Sequence, residues 1–145
     1  MAASTRIKAQ NILFDIAGTD YACDANMVSL TLEDAPGGTQ TFCETRVFGQ
    51  WTLELEGITS GDAASLYRVL WDNFGATGTF TIAPYGNATP SASQPHYQGT
   101  VIFSDIPPLS LTSNETAVFT VSLQVESMPH DPAADTYYGV EILTA

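Results

Sequence analysis

The chain has 145 residues, 44% of them hydrophobic, enough to bury an ordinary core without disulfide or metal staples. Only 14% are charged, split into 16 acidic and 4 basic side chains for a formal net charge of −12. This excludes a protein that grips nucleic acid through its phosphates, which needs clustered Lys and Arg, and the scatter of the carboxylates among Val, Leu, Phe and Trp excludes a disordered acidic tail.

Met1 to Lys8 carries two cations with no apolar stretch behind them, so no secretory signal is expected. Nothing approaches the roughly 18 consecutive apolar residues of a membrane span. Ile12 to Ala17 and Asp20 to Cys23 read as short strands, with Gly18-Thr19 as a tight turn between them. Val28, Leu30 and Leu32 alternate with Ser29, Thr31 and Glu33, the period-two pattern of a strand with one wet face. Ala35 to Thr39 is a turn or loop. Trp51, Leu53 and Leu55 then alternate with Gln50, Thr52, Glu54 and Glu56, in a strand whose start extends back towards Phe42.

Ser60 to Phe74 breaks the alternation. Ala63, Leu66, Tyr67, Leu70, Trp71 and Phe74 recur at helical spacing, with Thr59 or Ser60 as the cap and Gly75 as the stop. Both tryptophans fall on stripes expected to be buried. Gly78 to Ala83 and Tyr97 to Ser104 are further strands, and the Pro- and Ser-rich stretch Pro84 to Pro95 between them predicts a mobile loop. From Thr116 to Glu126, Phe119, Val121, Leu123 and Val125 interleave with Thr120, Ser122, Gln124 and Glu126, the clearest half-buried strand in the chain. Met128 to Asp135 is a polar linker. Tyr137 to Leu143 is strand-like and either closes the sheet at home or pairs with a neighbour. The pattern as a whole predicts a mainly β fold: a two-sheet β-sandwich or barrel of about seven strands with one flanking α-helix at about residues 60–74. Residues 1–127 form this single domain, and 128–145 are a C-terminal extension.

Side chains that carry chemistry are sparse. His96 and His130 sit beside prolines in expected loops, where exposure without a partner is the plain reading. Cys23 and Cys43 stand too far apart for a zinc site, and two unpaired buried thiols are expected in preference to a bridge. Asp15, Asp20 and Asp24 are spaced too loosely for a calcium loop, and Asp131 and Asp135 read as solvated carboxylates. Asn87-Ala-Thr89 and Asn114-Glu-Thr116 match a glycosylation pattern that arises often by chance. No catalytic, cofactor-binding or metal-ligating residue is assigned, so a structural or binding role is expected rather than an enzyme.

The segments Trp51 to Gly57, Ser65 to Asp72, Phe80 to Gly86, Pro95 to Val101 and Asn114 to Val125 carry a resemblance in their order and apolar words. Over roughly residues 10–127 the chain resembles the major tail tube proteins of long-tailed bacteriophages, whose fold is similar to that of the type VI secretion tube. The resemblance implies a virion tail protein assembled in the host cytoplasm. Its partners would be itself, as stacked homo-hexameric rings, and other tail proteins such as the tape measure and terminator. DNA would pass through the ring without specific binding. The candidate lumen-facing residues are Glu33, Glu54, Glu56, Thr120, Ser122, Gln124 and Glu126. The candidate inter-subunit residues are Tyr85, Tyr137, Tyr138, Val140 and Ile142, and inter-subunit strand pairing would offset the repulsion between acidic copies. The alternatives are a non-catalytic β-sandwich module that binds carbohydrate or protein, and another tail component such as a terminator.

Overall fold

A computed structural model of the chain describes residues 7, 12–34, 49–126, 131, 133 and 135–144. In chain order the elements are β1 (Leu13–Ile16), β2 (Thr19–Asp20), β3 (Ala25–Asp34), β4 (Gly49–Ile58), α1 (Leu66–Asp72) and β5 (Thr77–Ala83). They continue with β6 (His96–Ile102), β7 (Val118–Val125), β8 (Thr136–Tyr137) and β9 (Val140–Leu143). Among the described residues the fold is mainly β with a single helix, as the alternation predicts, but all nine described strands belong to one antiparallel hydrogen-bonded sheet.

Strand β6 is where that sheet divides. One of its edges pairs with β5 along its length. The other edge is shared: Val101 and Ile102 pair with β7, while His96 to Gly99 pair with β9. The sheet therefore forks into an arm β7-β4-β3 and an arm β9-β8. The arms meet again where Trp51 Nε1 donates to the Tyr137 carbonyl. Phe14, Leu53, Leu55, Phe80, Val101, Phe119, Leu123 and Val140 pack into one buried cluster.

The run Tyr137 to Leu143 thus finds its partner in its own chain, on the half-edge of β6 that β7 leaves vacant. Its hairpin turns at Tyr138-Gly139, both with positive φ, so that Tyr137 faces Val140. The first hairpin turns in the same way at Ala17-Gly18, one residue earlier than the Gly18-Thr19 expected, because Ile16 pairs with Thr19. Two-residue hairpin turns with both φ positive match the right-handed twist of the strands they join. The loop expected at Ala35 to Thr39, the extension of β4 back to Phe42, and most of the linker Met128 to Asp135 lie outside the described residues.

Helix α1 is shorter than the periodicity predicts. Its N-cap is Ser65, not Thr59 or Ser60: the Ser65 Oγ accepts from Arg68 N at 3.2 Å. The same hydroxyl donates to the Asp62 carbonyl at 2.7 Å, holding residues 60–64 as a turn and not as helix. Asn73 ends the helix through two bonds to the Val69 carbonyl, and Gly75 follows at φ 86°. Leu66, Tyr67 and Leu70 are buried, with the Tyr67 ring 5.3 Å from Phe119. Ala63 and Phe74 lie beyond the helix ends and are exposed. Trp71, expected to be buried, is 44% exposed, because the short helix turns only one narrow face to the core.

Candidate functional site

The ladder register decides which polar side chains share a face. Glu54 sits between Ser29 of β3 and Ser122 of β7, Glu56 between Met27 and Thr120, and Thr52 between Thr31 and Gln124. Glu33 pairs with Gln50 further along the same arm. Leu53 and Leu55, with Leu30, Val28, Leu123 and Val121 opposite them, point the other way. Glu33, Glu54, Glu56, Thr120, Ser122 and Gln124 therefore lie together on one polar surface of the arm β3-β4-β7. Glu126 continues the alternation one residue beyond β7 and is exposed, its N–H bonded to the Thr100 carbonyl at 2.8 Å.

The surface carries three carboxylates on β3 and β4, and no Lys or Arg among the described residues pairs with them. Glu56 Oε1 accepts from Asn26 Nδ2 at 3.4 Å. Arg68, the one Lys or Arg among the described residues, pairs instead with Asp72 on the exposed side of α1 at 3.2 Å. Among the described residues no group of three His, Cys, Asp or Glu side chains is placed to hold a metal ion.

The opposite side of the same arm walls an apolar groove of about 620 Å³. Leu30 and Leu32 of β3 and Trp51 of β4 line it, with Ile82 and Tyr97 of β5 and β6 and Tyr138 and Ile142 of the C-terminal hairpin. The candidate inter-subunit residues of the C-terminal run fall here. Val140 is buried in the core of its own chain, while Tyr137, Tyr138 and Ile142 are half-buried along the groove. Tyr138 is pressed so closely onto β4 that a Cβ at Gly49 would come 2.8 Å from its ring. Tyr85 lies apart, half-buried in the turn after β5.

Several isolated polar residues have structural partners that the sequence did not disclose. His96, expected to be exposed, is 7% exposed, and its Nε2 donates to the Asn87 carbonyl at 2.9 Å. It is the first residue of β6, and a strand start that packs on the preceding loop is not an open loop position. Asn87 Nδ2 bonds to the carbonyls of Gln94 and Thr89, so the nitrogen of the first glycosylation pattern is already engaged. With Ser91 and Gln94 bonded to each other through their main chains, the loop 84–95 is internally tied. Asp20 Oδ1 accepts from Ala22 N at 2.9 Å and Phe14 N at 3.3 Å, and Asp24 Oδ2 from Leu66 N. Cys23 is a free, exposed thiol and not a buried one, because it sits in the turn between β2 and β3. Trp51 is half-buried as a groove wall. Asp131 and Asp135 are exposed, with Asp131 bridged to Thr136 through the main chain. His130 and Cys43 lie outside the described residues.

The groove and the strand edge beside it were not legible in the sequence. Leu109 and Leu111, in the irregular stretch before β7, are the most exposed large apolar side chains described, at 63% and 72%. Their signal was an alternation, Leu109-Ser110-Leu111-Thr112, directly after Pro107-Pro108.

No protein-family model matches the chain, and no curated protein is similar to it in sequence.

Proposed function

We propose that the chain is the structural subunit of a phage tail tube, built into stacked hexameric rings with an acidic lumen. The observation that carries this reading is the arm β3-β4-β7. It combines a polar, carboxylate-bearing face with a strand, β3, of ten residues that among the described residues pairs with β4 alone. A long open edge is an obligatory hydrogen-bonding surface, and copies joined through such edges close into a barrel. Turned inward, the Glu33, Glu54 and Glu56 face repels phosphate, so that DNA slides without adhering. Screening limits the repulsion to about 8 Å at physiological salt, which is enough in a close-fitting bore. Each copy brings a further −12 to the ring, so the apolar and main-chain contacts between copies must outweigh that charge.

Negative-stain electron microscopy of the purified protein at high concentration, before and after added salt, tests the reading. Uniform rings or hollow tubes are expected. Particles that remain small and solitary in every condition would count against it. They would favour the second reading, a binding module, for which the specific observation is the aromatic-walled groove of Trp51, Tyr97 and Tyr138. In that case glycans and apolar ligands should shift the melting temperature.

A further inference from the structure

Two features of this chain are each half of a β-ladder. The first is the outer edge of β3. Between Val28 and Glu33, alternate residues direct their N–H and C=O groups away from β4, and no described residue bonds to them. The edge has no Lys and no Pro, and its charged residues and register shift lie at its two ends, Glu33-Asp34 and Ala25/Met27, leaving Val28 to Leu32 without either. The second is the segment Leu109 to Thr112. It has the alternation of a strand, but no described residue forms a ladder with it or hydrogen-bonds to Leu109, Ser110 or Leu111. Pro107 is fully buried and anchors the base of the segment, from which both leucines project into solvent.

The side-chain patterns are complementary. On β3, Leu30 and Leu32 face the apolar groove, while Ser29, Thr31 and Glu33 face the acidic surface. A strand added beside β3 must obey the same alternation, with every second side chain over the groove and the rest on the polar side. Leu109 and Leu111 suit the groove, and Ser110 and Thr112 suit the polar face. The reverse register would put both leucines among carboxylates. Leu32, at 44% exposed, is the apolar residue that such a strand would cover first.

We infer that Leu109–Thr112 of one copy adds to the outer edge of β3 of the next, with Leu109 and Leu111 seated in the groove. This rests on the self-association in the tube reading and specifies its contact. The joint is heterologous: the donor segment and the acceptor edge are different surfaces, so every copy has one of each and the contact propagates head to tail until it closes into a ring. It also extends the polar face by Ser110 and Thr112, adding no apolar side chain to the lumen lining.

The test uses the full chain with Cys23→Ser and Cys43→Ser, so that only introduced thiols react. One preparation carries Leu32→Cys, a second Leu109→Cys or Leu111→Cys. Under mild oxidation at assembling concentration, disulfide-linked dimers are expected when the two preparations are mixed, and not in either alone. In parallel, Leu109→Glu with Leu111→Glu should raise the concentration needed for assembly by about tenfold or more, since two apolar contacts are lost. Both sites are exposed, so the melting temperature of the dilute protein should not fall. Rings or tubes that form without mixed disulfides overturn this contact and leave the tube reading standing. Disulfides in Leu32→Cys alone overturn it in favour of β3 pairing with β3. Absence of assembly by the unaltered chain at any concentration overturns the tube reading, and this contact with it.

Discussion

Asp24 and Leu66 are 42 residues apart in the chain, and Asp24 Oδ2 accepts the Leu66 backbone N–H at 3.2 Å. Leu66 is the first helical residue, whose N–H has no partner within the helix. The main-chain carbonyl of Asp24 also accepts from Ile58 N at 2.9 Å. One residue before β3 thus holds both the end of β4 and the start of α1. Asp24→Ala should lower stability by about 1 kcal/mol, the typical cost of a lost cap or part-buried bond. Asp24→Asn, which keeps an acceptor oxygen, should recover most of it. Urea unfolding measures both, and an alanine variant as stable as the parent would refute the assignment.

Gly57 lies in the same corner. A Cβ there would come 2.6 Å from the Asp24 carbonyl and 3.1 Å from the Phe119 ring. The near neighbour is main chain, and it is already bonded to Ile58 N, so it cannot give way cheaply. Gly57→Ala should destabilise by about 1–3 kcal/mol through overpacking. A thermal melt reads this directly, and an unchanged midpoint would mean that the strand end relaxes freely.

Ala17 occupies the first central position of its hairpin turn at φ 53°, a conformation that costs an L-residue about 1–2 kcal/mol. Ala17→Gly removes the clash at some cost in chain entropy, so a net gain of about 0.5–1 kcal/mol is expected. Ala17→Asn should also stabilise, since Asn tolerates this region. The check is a higher urea midpoint at unchanged m-value. A loss of stability in both variants would contradict the turn geometry.

The tube reading carries a salt dependence with a definite sign. Raising ionic strength from about 0.01 M to about 0.15 M shortens the screening length from about 30 Å to about 8 Å. Self-repulsion between acidic copies weakens accordingly, so tube growth followed by light scattering should accelerate. Glu54→Gln with Glu56→Gln should assemble faster at low salt and respond less to added salt. Growth indifferent to salt in the parent chain would remove self-repulsion as the control on assembly.

The polar face was legible because period-two alternation is a local property. Glu54 and Glu56 on one strand, and Thr120, Ser122 and Gln124 on another, had to share a side with their own neighbours whatever the partner. That the two sets share the same side followed only from the pairing of Glu54 with Ser122 and Glu56 with Thr120. A shift of one residue would have sent one set into the core. The helix was legible as an apolar stripe, but its limits were not: Ser65 outcompeted Thr59 and Ser60 as cap through bonds that periodicity does not encode. His96 was misjudged for a related reason, since its partner, the Asn87 carbonyl, is a main-chain group of unremarkable sequence.

By itself the sequence determined the composition of the fold: a mainly β chain with a helix after the strand of Trp51 to Glu56, strongly acidic, with most apolar residues of its clearest strands sorted onto one side. These are consequences of spacing and side-chain chemistry within a few residues. Tertiary structure alone decided that β6 divides its edge between β7 and β9, that Tyr137 and Tyr138 line a groove with Trp51, and that β3 ends the order of the described strands. Strand order depends on contacts between residues far apart in the chain, and no local pattern specifies which edge remains unpaired.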